Sequence, residues 1–107
     1  MRDKMLFNEE ARKISQTVKR ARELSLIERT DITLKVDGDA NKYWLERAGA
    51  VVGMRALKGG LVISGKDVIF FPKGNCSGGE IKLNDSKRQE LTIDIDPILG
   101  TATIKRL

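Results

Sequence analysis

The chain contains no histidine and a single cysteine, and each scarcity narrows what it does. Without imidazole it lacks the commonest general base at neutral pH, the base of Ser and Cys triads, and the commonest metal ligand. Cys76 alone can neither close an internal disulfide nor assemble a multi-thiolate zinc site. It leaves the redox compartment open. Aromatic residues make up only 5% of the chain, which is little to stack on nucleic-acid bases. The longest unbroken apolar run, Val68 to Phe71, falls far short of the roughly 20 apolar positions that cross a membrane. No apolar stretch follows Met1-Arg2-Asp3-Lys4, so no secretory signal is visible. The expectation is a protein that is not an enzyme, with no cofactor, no metal and no small-molecule substrate.

What is present is one domain's worth of globular chain. At 107 residues a second domain would leave each half below the size at which a core supports itself. A hydrophobic fraction of 40% beside 33% charged residues argues against disorder. Twenty Lys and Arg against fifteen Asp and Glu leave a formal +5. The positive charges are interleaved with acids, which weighs against a nucleic-acid partner.

From Asp3 to Glu28 there is neither Gly nor Pro, and apolar or small residues fall at Phe7, Ala11, Ile14, Val18, Ala21 and Leu24/Ser25. Alternating steps of four and three trace one face of a helix. Asn8 ahead of Glu9 and Glu10 offers a later start as a cap. At full length the helix runs about 39 Å, against a radius of gyration near ~13 Å for a compact domain of this size. Its N-terminal part, with Met5, Leu6 and Phe7, is therefore expected to project beyond the body.

After Arg29 the period becomes two. Ile32, Leu34 and Val36 alternate with Thr33 and Lys35, and Asp37-Gly38-Asp39 turns the chain into Lys42 to Glu46. Ala48 to Leu57 reads equally as a poor strand or a loop. Leu61 to Ser64 follows Gly59-Gly60, and Gly65-Lys66 turns into Asp67 to Pro72. Glu80 to Leu83, Glu90 to Ile95 and Thr101 to Lys105 complete the pattern, separated by Asn84-Asp85-Ser86 and by Pro97 to Gly100. About seven short strands behind one long helix predict an α+β fold, the helix of residues 1–29 covering the antiparallel sheet of residues 30–107 within one domain.

Several short motifs carry competing readings. Gly74-Asn75-Cys76-Ser77-Gly78-Gly79 resembles the nucleophile loop of a chymotrypsin-like protease with Cys for Ser, but no histidine exists to serve it. A glycine-rich turn with a small buried thiol is the plainer reading. Asp37-Gly38-Asp39-Ala40-Asn41 has the opening spacing of an EF-hand loop, yet Lys42 stands where glycine is required and Ala48 where the bidentate Glu belongs. A solvated hairpin turn accounts for it. Asn75-Cys76-Ser77 fits the N-glycosylation sequon only formally. Gly59-Gly60 and Gly78-Gly79 precede no helix with Lys-Ser or Lys-Thr and are not phosphate loops.

The layout resembles a known family. The helix Ala11-Arg12-Lys13-Ile14 through Ala21-Arg22-Glu23-Leu24-Ser25-Leu26-Ile27-Glu28-Arg29 leads to Ile32-Thr33-Leu34-Lys35-Val36 and Tyr43-Trp44-Leu45. The sharpest phrase runs from Val68-Ile69-Phe70-Phe71-Pro72 through Gly74 and Gly78-Gly79 to Ile81-Lys82-Leu83, and Asp94 to Ile104 closes the chain. In order and spacing these resemble the soluble domain of type IV pilin-like proteins, most of all the GspH/FimT family of minor pseudopilins and minor pilins, whose phrase at Val68 to Leu83 is a hairpin. The resemblance implies a structural subunit of a membrane-anchored filament, the leading expectation being a minor pseudopilin of a type II secretion pseudopilus that supports protein export. Its partners would be other pseudopilin or pilin subunits. Family members carry a prepilin leader, its processing and methylation, and an apolar helix half anchored in the inner membrane. The resemblance thus implies a segment before Met1 and a periplasmic globular part. Leu6, Phe7, Ala11, Ile14 and Val18 are the residues expected to pack subunits, partly against the chain's own sheet.

A minor pilin of a type IV pilus, including one that takes up DNA, is the near alternative. The arginine-rich phrase of DNA-binding members is poorly matched by Gly100-Thr101-Ala102-Thr103-Ile104-Lys105-Arg106. A small basic binding module or a cytoplasmic enzyme is the more distant one.

Overall fold

The structure is a computed structural model that describes residues 2–58, 60–85 and 89–106, with the side chains of 2–6 and 106 left out. Gly59 and Ser86 of the expected turns, and the side chains of Met5 and Leu6, therefore lie outside the described part. Helix α1 (Arg2–Glu28) is followed by eight strands: β1 (Ile32–Asp37), β2 (Lys42–Arg47), β3 (Ala50–Ala56), β4 (Val62–Gly65), β5 (Val68–Phe70), β6 (Gly79–Asn84), β7 (Glu90–Ile95) and β8 (Ala102–Arg106).

The 27 residues of α1 span about 40 Å at 1.5 Å per residue, which matches the longest dimension of the molecule, 41 Å. Phe7, Ala11, Ile14, Val18, Ala21 and Ser25 are buried and Leu24 is partly so, following the predicted stripe. The helix ends where Arg29 takes a left-handed φ of 52°, the terminating conformation more often given to glycine. An ion pair from Glu28 to Arg47 ties that end to β2.

The strands form two antiparallel four-stranded sheets, in the orders β3-β2-β1-β5 and β4-β6-β7-β8. Alternation sends Ile32 and Leu34, Tyr43 and Leu45, Ile81 and Leu83, and Leu91, Ile93 and Ile95 into one core with the helix stripe. The helix packs mainly against β1 and β8, touching a strand of each sheet. Asn41 links the sheets at the far end. Its backbone carbonyl accepts from the Leu57 N–H and its side-chain carbonyl from the Ile63 N–H of β4.

One expectation is corrected and two are sharpened. Phe7 does not project: it is only 5% exposed and sits in the chain's own core, because the β-rich part extends far enough along α1 to cover it. The stretch Ala48 to Leu57 contains the strand that brings the number to eight. Ala48 and Gly49 both have positive φ, 51° and 83°, closing a two-residue hairpin that pairs Arg47 with Ala50. Finally, the hairpin after Val68 is short: Ile69 to Phe71 pairs antiparallel with Asn75 to Ser77 through the Phe71 N–H to the Asn75 carbonyl and the Ser77 N–H to the Ile69 carbonyl, and β5 does not pair with β6. β4 and β6 belong to one sheet and β3 and β5 to the other, so the chain crosses between sheets three times, after β3, β4 and β5.

Because Ile14 is fully enclosed, Ile14→Ala is expected to cost about 2–5 kcal/mol in urea unfolding. Ile27→Ser, at a position 77% exposed on the same helix, should change stability by no more than about 0.5 kcal/mol.

Candidate functional site

Packing of the helix stripe decides which sequence-predicted residues remain on the surface. Phe7, Ala11, Ile14 and Val18 are buried against the chain's own strands, so these side chains are spent on the fold; Leu6 lies outside the described side chains. The exposed apolar residues are elsewhere. Leu26 and Ile27 occupy the last turn of α1, Val51 and Met54 lie on the edge strand β3, and Ile98 and Leu99, at 79% and 59% exposure, form the turn before β8. Single exposed apolar residues are ordinary, but a pair on a turn beside a helix end with another pair is the composition of a contact surface.

The turn carrying Ile98 and Leu99 is rigidly built. Oδ1 of Asp96 accepts from both of their N–H groups, at 2.8 and 3.0 Å, and the Gly100 N–H donates to the Asp96 carbonyl at 2.8 Å. Gly100 then brings the strand in close under the helix with φ 67°. A Cβ there would lie 2.8 Å from the Gly74 carbonyl oxygen and 3.1 Å from Cδ of Arg22. Arg22 is thereby laid across the join between α1, the Gly74 loop and the start of β8.

Cys76 holds the same region from beneath. It is buried, bridges to Phe70, receives nothing from a base, and its Sγ donates to the Asp96 carbonyl at 3.2 Å while its N–H donates to the Pro97 carbonyl at 2.9 Å. Burial pushes its thiol pKa up, a backbone hydrogen bond from Gly78 lowers it in part, and Asp96 raises it again. That is the reverse of the activation a nucleophile needs. The cysteine is a structural link between the two sheets. Asp37 is likewise committed locally: its Oδ1 accepts from the Asp39 and Ala40 N–H groups, which holds the hairpin turn.

A second polar locus lies toward the helix N-terminus. Glu10 is 2% exposed, and its Oε1 has no hydrogen-bond partner among the described residues; it lines a cavity of about 200 Å³ with Lys13, Arg55, Ala56 and Lys58. Nearby, burial raises the Tyr43 phenol pKa, the Thr17 hydroxyl lowers it, Glu10 adds to the rise and Arg55 pulls it down. The sequence reading did not single out Glu10, since a lone carboxylate beside an apolar stripe carries no signal of its own burial.

No protein-family model matches the chain, and no curated protein does. Solved structures are similar in fold. The chain resembles the minor pseudopilin EpsH from the type 2 secretion system of Vibrio cholerae with a TM-score of 0.71 at 11% identity, covering 94% of each chain. It resembles the type IV minor pilin FimU of Pseudomonas aeruginosa with TM-scores of 0.76 and 0.73 in two crystal forms, both at 11% identity. The match covers 92% of this chain and 87% and 91% of those.

Two measurements check the local analysis. Gly100→Ala should destabilise by about 2 kcal/mol or more, because left-handed backbone and a backbone collision add, whereas Gly53→Ala, with open space around it, should be near neutral. Raised pKa values at Cys76 and Tyr43 mean that folding favours their protonated forms. Their contribution is whole below the ordinary thiol and phenol ranges and is lost as pH rises through the folded values. Urea midpoints should therefore fall above about pH 8.5, and less steeply in Cys76→Ala.

A long helix laid lengthwise on two antiparallel sheets, matched along nearly the whole of each compared chain, gives this protein a pilin-like fold of the kind seen in the minor pseudopilin EpsH and the type IV minor pilin FimU.

Proposed function

We propose that the chain is a minor pseudopilin, a structural subunit that assembles with other pseudopilins in a type II secretion pseudopilus and supports protein export without catalysing a reaction. The observation that carries this is end-to-end likeness to EpsH, with 94% of both chains covered. Absence of histidine and commitment of the single thiol to a backbone hydrogen bond agree with a role in geometry, not chemistry. Among the described residues no helix is long and apolar enough to cross a membrane. Anchoring in the inner membrane through a processed and methylated prepilin helix, with a periplasmic globular part, belongs to the proposal.

The second reading, a minor pilin of a type IV pilus, is favoured by the TM-score of 0.76 to FimU. Deleting the gene in its own host separates the two. Loss of exported protein from the culture supernatant with surface pili intact supports the pseudopilin; loss of pili with export intact supports the pilin. If both are unaffected, or if the native reading frame before Met1 lacks a charged leader and about 20 apolar residues, the filament role fails.

A further inference from the structure

The cleft between α1 and the edge strand β8 has the chemistry of an anion site. Ser15, Val18, Lys19 and Arg22, at helical spacings of three, four and seven, form one wall, and Gly100, Thr101 and Ala102 form the other, around about 280 Å³. Among the described residues no acidic one lines it. Among the described residues neither Lys19 nor Arg22 makes an ion pair. Nε of Arg22 and Oγ of Ser15 are both enclosed without a hydrogen-bond partner. Two positive charges, Lys19 and Arg22, thus border one space that no acidic side chain among the described residues lines, with the two unmet donors enclosed behind its wall.

The guanidinium is placed in advance. Gly100 lets Cδ and Nε of Arg22 come within 3.1 and 3.4 Å of where a Cβ would stand, and the Nη2 end lies 4.0 Å from the corresponding point at Gly74. Held this way, Nε is closed off against Gly100, and the Nη1/Nη2 end of the guanidinium is left with two N–H groups that match the two oxygens of a carboxylate. The surroundings favour a protein as its bearer. Ile98 and Leu99 are exposed immediately before Gly100, and Leu26, at the helix end, reaches to 3.6 Å from the Cβ position of Gly74. An arginine with exposed apolar side chains on the neighbouring turn and helix end is the make-up of a protein interface, whereas a single-stranded nucleic-acid groove would add aromatic platforms, and none lines this cleft among the described residues. The chain's own +5 disfavours a second copy as occupant.

We infer that the α1/β8 cleft receives an Asp or Glu side chain of a neighbouring, different subunit, gripped by Arg22 and Lys19. The identity of that bearer rests on the assembly reading above; the carboxylate chemistry does not. A blocked Leu-Glu-Leu peptide titrated into the protein, read from backbone amide NMR shifts, tests the site itself. It should move the amides of Ser15, Lys19 and Gly100–Ala102 with a Kd of about 1 mM, and Leu-Gln-Leu should not. Arg22→Lys, which keeps the charge but loses the two-point edge, should weaken binding about tenfold, and Lys19→Gln, at an exposed position, about threefold. No shifts, equal shifts with the Gln peptide, or unchanged affinity in both variants overturns the site and leaves the filament role standing. Tighter binding of inorganic phosphate or a short oligothymidine than of the Glu peptide overturns the carboxylate. Peptide binding in a protein whose deletion affects neither export nor pili removes the subunit as its source.

Discussion

The structure depends on burial of one helix face between two sheets that share no ladder of their own. β3-β2-β1-β5 and β4-β6-β7-β8 are internally hydrogen-bonded, but what unites them is the apolar stripe Phe7, Ala11, Ile14, Val18 and Ala21, together with a few links at Asn41 and Cys76. Removing apolar area from water is non-directional, so it can join elements that backbone hydrogen bonds do not. A helix as long as the molecule supplies that area along the whole body and leaves its other faces to solvent and neighbours.

That use of the helix relocates the functional question. The stripe most visible in the sequence is consumed internally, so the surface that remains for other molecules is made by element ends: the last turn of α1, the turn of Ile98 and Leu99, the edge of β3, and the cleft where β8 begins. These are places where short segments from distant parts of the chain meet. Gly74, Gly100, Arg22 and Cys76 form one such meeting point, assembled by backbone close approach and by carbonyls that accept from the Cys76 thiol and N–H.

Legibility followed periodicity. The helix was readable because its apolar residues repeat at steps of four and three, and β1, β2, β6 and β7 because inward residues alternate with outward ones. β3 was not. It is an edge strand exposed on nearly every side chain, so it has no alternation to show, and its hairpin turn uses Ala48 in a left-handed conformation where Asn or Asp would have announced it. Neither was the exchange of strands between sheets, since Gly65-Lys66 and the loop before Gly78 look like turns whichever sheet follows them. Glu10 and the Lys19–Arg22 cleft were hidden for the same reason: polar residues flanking a stripe look alike until the opposite wall is known.

By itself the sequence determined the class of fold, the length and facing of the helix, most strands, and the absence of imidazole chemistry, because all of these are properties of composition or of local period. Only the tertiary structure decided that Phe7 is covered, that Cys76 is a buried link between sheets, and that Arg22 lies over Gly100 beside an unpaired Lys19. The physical reason is that burial, close approach and unmet charge are relations between segments far apart in the chain, set by how two sheets close on one helix and by nothing written in either segment alone.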